Sequence, residues 1–272
     1  MTRKAWQFSG LAVVACLLLI YILLPSVPDL PSVKPKSSSV APLPDFTQYD
    51  QVTEKKQAFF DYILEFVQQE NNRIAVQREQ LLLLSNRPHD LNRYELEWLQ
   101  SMAKYYRVKL DAEKLAGDEV ESVIARLLLK VDKVPASLAL AQSANESAWG
   151  TSRFALKGNN LFGQWCFSKG CGLVPNSRDS GAKHEVAKFA NPKKSVEAYI
   201  RNINSHRAYR KLRSKRAQLR DNDKKITGYS LAEGLDNYSE RGEAYIEELR
   251  SMMRVNNLGE YDVEPALEVV EK

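Results

Sequence analysis

The sequence has few of the residues that hold metals or build disulfide scaffolds. It carries three cysteines and three histidines in 272 residues. Cysteine that sparse excludes a small fold stapled by disulfides. His89, His184 and His206 stand far apart, and His184-Glu185 lacks the second histidine of an H-E-x-x-H helix. No metal and no cofactor are therefore expected. Charge of one sign is also limited: 39 Lys and Arg oppose 34 Asp and Glu, a net +5. That bias suits an anionic polymer without demanding one. No internal repeat is visible.

What is present begins at the N-terminus. Arg3 and Lys4 precede an apolar run from Leu11 to Leu24, and Pro25 stops it. A basic flank before such a run reads as an export signal or anchor. No A-x-A cleavage site follows, so residues 1–24 are expected to stay as a single membrane-spanning anchor, with the rest of the chain outside the cytoplasm. Val13-Val14-Ala15-Cys16 loosely matches a lipoprotein box. The apolar run continues past Cys16, which favours a plain membrane cysteine. Residues 25–47 hold Pro25, Pro28, Pro31, Pro35, Pro42 and Pro44 with the run Ser37-Ser38-Ser39 between them, the composition of an extended spacer.

Hydrophobic residues make up 44% of the chain, so the remainder should pack as a globule. Residues 48–117 read as helical, with Phe59, Phe60, Ile63, Phe66 and Val67 on one face and a break at Pro88 and Asp90. Asp118 is placed to cap a further helix. Pro135 opens a helix from Ala136 to Trp149, and Gly150 closes it. A small β element is expected over residues 164–189, its turn running from Pro175 to Gly181. Asn191-Pro192 starts another helix. Residues 118–260 form the expected second region, and 261–272 a tail.

Glu146 lies within one turn of its helix C-terminus, where the macrodipole raises a carboxyl's pKa. Trp149, three residues on, is expected on the same face, its indole removing water from the carboxyl and raising the pKa further. A carboxyl that keeps its proton near neutrality can act as a general acid. The plainer alternative is a solvated helix glutamate. Cys166 and Cys171 flank four residues. Outside the cytoplasm they read as a disulfide pinching the β arm. Residues 207–220 are rich in Lys and Arg and form either a docking face or a solvated one. Nucleic acid fits that run but conflicts with the exported topology.

The run Ala144-Asn145-Glu146-Ser147-Ala148-Trp149-Gly150, followed by Asn159-Asn160-Leu161-Phe162-Gly163, resembles the glucosaminidases of glycoside hydrolase family 73. The resemblance extends over about residues 119–258. It implies a mainly α (α+β), lysozyme-like fold: a helical lobe carrying the acid, a small β lobe opposite, and a cleft for peptidoglycan glycan strands. Glu146 would be the catalytic acid. Trp149, Asn159, Asn160, Phe162 and Gly163 would shape the substrate cleft, with Gly158 and Gly163 admitting backbone to the sugar. Glu185, on the return arm, would be the second carboxylate that positions or activates water, with Asp179 as a rival. Tyr238, in a segment like the family's C-terminal tyrosine stretch, would face the reacting sugar. The implied protein is an inner-membrane, single-pass endo-β-N-acetylglucosaminidase facing the periplasm. The alternatives are a lytic transglycosylase on a similar fold and a non-catalytic wall-binding or morphology factor.

Overall fold

A computed structural model describes residues 40–111, 115–176, 178 and 181–262. The expected anchor at residues 1–24, most of the spacer and Asp179 lie outside the described residues. Among the described residues, no helix is long and apolar enough to cross a membrane.

The fold is mainly helical. Helix α1, Val52–Ser85, buries Phe59, Phe60, Ile63, Phe66, Val67, Ile74, Leu81 and Leu84. Spacings of three and four put these on one stripe, so this single long helix backs the core. Helix α2, Arg93–Tyr105, starts at a capping box between Asn92 and Glu95. Helix α3, Asp118–Leu128, is capped by Gly117, one residue before the expected cap. Helix α4, Ala136–Ser147, is buried from Ala136 through Ala144. Its Ala and Ser residues let neighbours approach on all sides, which makes it the central helix. Helix α1 packs along it, so the N-terminal helical region joins the same core.

Helix α5, Arg153–Gly158, follows. Strands β1 (Trp165–Cys166), β2 (Gly172–Leu173) and β3 (Glu185–Ala187) make one antiparallel sheet with β3 in the middle. The expected first arm thus divides at the disulfide into two short strands. Helices α6 (Pro192–Ser205), α7 (Arg210–Asp221), α8 (Gly228–Leu231) and α9 (Glu243–Val255) complete the body. Asn191 caps α6 through Lys194, with Pro192 in the first turn, as the sequence indicates.

Both ends of the described chain are tied to α4. The spacer was expected to run to residue 47, but Phe46 is buried. A Cβ on Gly150 would lie 2.7 Å from Phe46 Cδ2, so only glycine admits that ring. At the far end, Asp262 falls in the expected tail. Its carboxylate accepts from the Ser137 amide at 2.9 Å and hydroxyl at 2.6 Å. It thereby caps the positive end of α4 from a distant segment, where Pro135 has no side chain to do so.

The basic stretch 207–220 is divided: Arg207, Arg210, Lys211 and Arg220 are exposed, whereas Arg213 and Arg216 are buried. Arg216 is 1% exposed and donates to the Lys133 carbonyl and Asn204 Oδ1. Arg213 is buried and bonded to the Ile203 and His206 carbonyls. Arg220 pairs with Asp132 at 2.7 Å, and Arg216 and Arg78 lie at 3.5 and 3.7 Å from the same carboxylate. Removing that carboxylate leaves buried guanidinium charge without its counter-ion. Asp132→Ala is therefore expected to lower unfolding stability by about 3–5 kcal/mol. Urea titration measures this; a loss near zero would mean that the carbonyls alone hold the arginines.

Candidate active site

Helix α4 supplies the central carboxyl. The helix stops at Ser147 because Ala148 and Trp149 take left-handed conformations, φ 50° and 59°. Such backbone is costly for a residue as large as tryptophan and concentrates at functional sites. The turn also overturns one expectation. Trp149 does not continue the helical face of Glu146. Its indole packs edge-on against Phe59 and Phe60, with centroids 5.8 and 5.2 Å away, and Lys56 sits over the ring. Trp149 fastens the end of α4 to α1.

The enclosure of Glu146 comes from tyrosines instead. Tyr245, on α9, donates its hydroxyl proton to Glu146 Oε1 at 2.9 Å. Tyr245 accepts from Gln142 Nε2 at 3.0 Å, and Tyr199 donates to Gln142 Oε1 at 2.6 Å. The chain has one direction. The Gln142 amide occupies a lone pair on the Tyr245 oxygen, so its single proton is committed to Glu146. Tyr238 stacks on Tyr245 at 5.5 Å, nearly parallel, and Tyr209 lies 6.0 Å beyond Tyr238.

Burial raises the Glu146 pKa above the ordinary glutamate value, opposed in part by the Tyr245 hydrogen bond. Burial above all, with the neighbouring tyrosines and the Glu146 charge adding to it, raises Tyr245, Tyr238 and Tyr199 well above the usual phenol range. Tyr209 is pushed up to about 12 by burial and then Glu146. These phenols stay neutral donors at physiological pH. With Oε1 filled, Oε2 is the oxygen left to carry a transferable proton. A Cβ on Gly163, φ +62°, would lie 3.3 Å from Oε2, so the missing side chain keeps that side clear.

The Gly163 loop is held by its asparagines. Asn160 Oδ1 accepts from the Phe162 and Gln164 amides, and its Nδ2 donates to the Gln164 and Ala187 carbonyls. Asn160 and Phe162 are each 1% exposed, and Phe162 stacks on Tyr199 at 3.9 Å. Asn159, φ 50°, donates to the Phe189 carbonyl. Asn160 and Phe162 thus meet protein rather than a ligand, while Asn159 is only half-buried. Gly158 admits Leu173 and the Ala187 carbonyl rather than a sugar.

Two expected partners of Glu146 are also occupied. Tyr238 donates its hydroxyl to the Phe162 carbonyl at 2.9 Å and so anchors this loop. Glu185 accepts from the Gly170 and Gly172 amides at 2.9 and 2.8 Å, bonds that hold its carboxyl below the usual range. No hydrogen bond joins Glu185 to Glu146, and the distant charges acting on Glu146 are Glu248 and Arg241. The expected Cys166–Cys171 disulfide is present. Its sulfurs and Glu185 lie close together, but disulfide sulfur is not the thiolate a metal requires. Tyr245 escaped sequence reasoning. Its signal was indirect: a glutamine at position 142, inside a helix of small and apolar residues, needs buried partners.

Two outcomes follow for Glu146. Its raised folded-state pKa favours the protonated form, so the contribution to stability is full below the unfolded value and is lost as pH rises through the folded one. Glu146→Gln should therefore be more stable than wild type at neutral pH, with the gap closing toward acid pH in thermal melts. Tyr245→Phe removes a bond that favours the ionised form. The alkaline limb of the activity profile should move to higher pH; a limb unmoved or shifted down would separate Tyr245 from the proton.

Residues 123–258 match the Glucosaminidase family, described as mannosyl-glycoprotein endo-beta-N-acetylglucosaminidase. Among curated proteins the chain is similar to Protein bax of Escherichia coli (strain K12). The two are 33% identical over 228 residues, covering 81% of this chain and 76% of that one. No solved structure matches. The half-buried acid of α4, with the glycine loop beside its free oxygen, thus sits in a chain that belongs to the glucosaminidases of glycoside hydrolase family 73, a Bax-like peptidoglycan hydrolase.

Proposed function

We propose that the chain is an endo-β-N-acetylglucosaminidase in which Glu146 is the general acid. One observation carries this reading: a carboxyl with raised pKa, one oxygen fixed by Tyr245 and the other beside Gly163. A glycosidic oxygen leaves poorly unless it is protonated as its bond breaks. Glu146 Oε2 donates that proton. The acetamido oxygen of the same sugar attacks C1 as the C1–O bond breaks, giving a cyclic oxazolinium. Glu146, now a carboxylate, takes a proton from water as the water opens that ring at C1. The route needs no second carboxylate, in keeping with Glu185's bonds to the 170–172 loop. Tyr238 and Glu185 then act by positioning. In this reading the helical body and the β element are the two lobes of a lysozyme-like cleft.

We further propose that residues 1–24 anchor the chain in the inner membrane and that the proline-rich segment holds the enzyme in the periplasm. The basic flank and apolar run support this, as does the disulfide, which suits an oxidising compartment.

The lack of a second carboxylate on Glu146 also suits a lytic transglycosylase, where a hydroxyl of the sugar replaces water. Mass spectrometry of digested wall material separates the two. New reducing N-acetylglucosamine ends are expected; anhydro-muramic ends would transfer the reaction to the rival. Glu146→Gln should lower the cleavage rate by roughly 10²–10⁴-fold. Clearing of a zymogram equally by wild type and variant would remove Glu146 from the chemistry. Clearing by neither would favour the wall-binding factor.

A further inference from the structure

The β element carries an aromatic group that its own fold does not use. Trp165 on β1 is 59% exposed, although its backbone pairs with buried Val186 in the middle strand. One face of the indole lies flat on the His184 imidazole, with centroids 4.1 Å apart and planes 12° from parallel. A ring covered on one face and exposed to that degree turns its other face to solvent. Phe167, two residues on, is 73% exposed.

Much of the local structure fixes the backbone that carries this ring. Cys166, next in sequence, is tied to Cys171. Glu185, opposite Cys166 across the sheet, is bonded to the amides of Gly170 and Gly172. Asn160 binds the Gln164 carbonyl immediately before the tryptophan. With the backbone fixed and one face of the indole backed by His184, part of the ordering cost of a binding surface is met before the ligand arrives.

The position completes the case. Trp165 is two residues from Gly163, so their Cα atoms are at most about 7 Å apart. Gly163 itself lies against Oε2 of Glu146. We propose that the open face of Trp165 stacks a pyranose of the bound glycan, close to the sugar whose linkage Glu146 protonates. The C–H face of an N-acetylated pyranose is apolar, and an aromatic face attracts its slightly positive hydrogens. His184 prevents the indole from folding back onto the sheet. This inference rests on the glycosidase reading above and identifies a substrate contact for it.

The test uses the full chain carrying Glu146→Gln, so that ligand persists, titrated with an N-acetylglucosamine tetramer by calorimetry and tryptophan fluorescence. Adding Trp165→Ala should weaken binding about tenfold, or roughly 1.4 kcal/mol. Trp165→Phe should recover most of that loss. His184→Ala, which keeps the ring but removes its backing, should give a smaller loss. With Glu146 intact, Trp165→Ala should raise KM for wall material and leave kcat near wild type. Thermal melts should stay unchanged, since the ring is mostly outside the core. Tetramer affinity equal in parent and Trp165→Ala overturns the platform while leaving Glu146 chemistry standing. A parent protein that binds no tetramer overturns the glycan reading and this inference together.

Discussion

A carboxyl buried without a cation beside it is the constraint around which this molecule is arranged. Glu146 emerges at the end of a helix whose preceding residues are almost all inside the core. Ionising it there is unfavourable, and the protein relieves that cost chiefly with a neutral hydroxyl, the Arg241 charge acting only weakly from a distance. A lysine or arginine at that place would pull the pKa down and discharge the acid. Tyrosine avoids this. It satisfies one oxygen, and its own pKa is pushed upward by the same burial. The Tyr199–Gln142–Tyr245 chain then fixes which way the last proton points, and so which carboxyl oxygen faces the glycine loop.

Keeping the acid in place requires that α4 not move, and much of the rest of the chain serves that requirement. Asp262 holds its first turn, Trp149 and Phe46 lock its last, and α1 packs along it. Two arginines of α7 belong to the same scheme. Arg216 and Arg220 converge on Asp132, just before α4, and Arg216 also binds the carbonyl of Lys133. Part of the basic stretch is thus spent on fastening the entry to the central helix.

What could be read from the sequence was local. Pro135 and Asn191-Pro192 mark helix starts within a few residues, and the stripe through Phe59, Ile63 and Phe66 marks a buried face. Glu146 and the Asn160–Gly163 loop are legible as a motif, and the nearby cysteines as a pair. The misreadings depended on where a chain turns or what arrives from far away. Reading Gly150 as the stop carries α4 on to Trp149, because nothing in Ser147-Ala148-Trp149 announces two left-handed residues. Tyr245 reads as one of the apolar stripe Tyr245, Ile246, Leu249 and Met253, and only its contact with α4 gives it a role. Glu185 looks like a free strand carboxylate until the 170–172 loop folds over it. Asp262 bonds to Ser137 across most of the second region, a distance no window of sequence spans.

The β element shows the opposite strategy from α4. Strands of two or three residues cannot form a stable sheet from their ladder alone. Directed bonds replace a core here: the disulfide, the two amides on Glu185, the four bonds of Asn160 and the hydroxyl of Tyr238 on the Phe162 carbonyl. Apolar packing tolerates sliding, whereas hydrogen bonds with fixed donors and acceptors do not. A loop that must keep Gly163 against one oxygen of Glu146 gains from the second kind of restraint. The asparagines, Glu185 and Tyr238 therefore set the distance between the acid and whatever lies over Gly163, and they do so from behind the surface, without touching it.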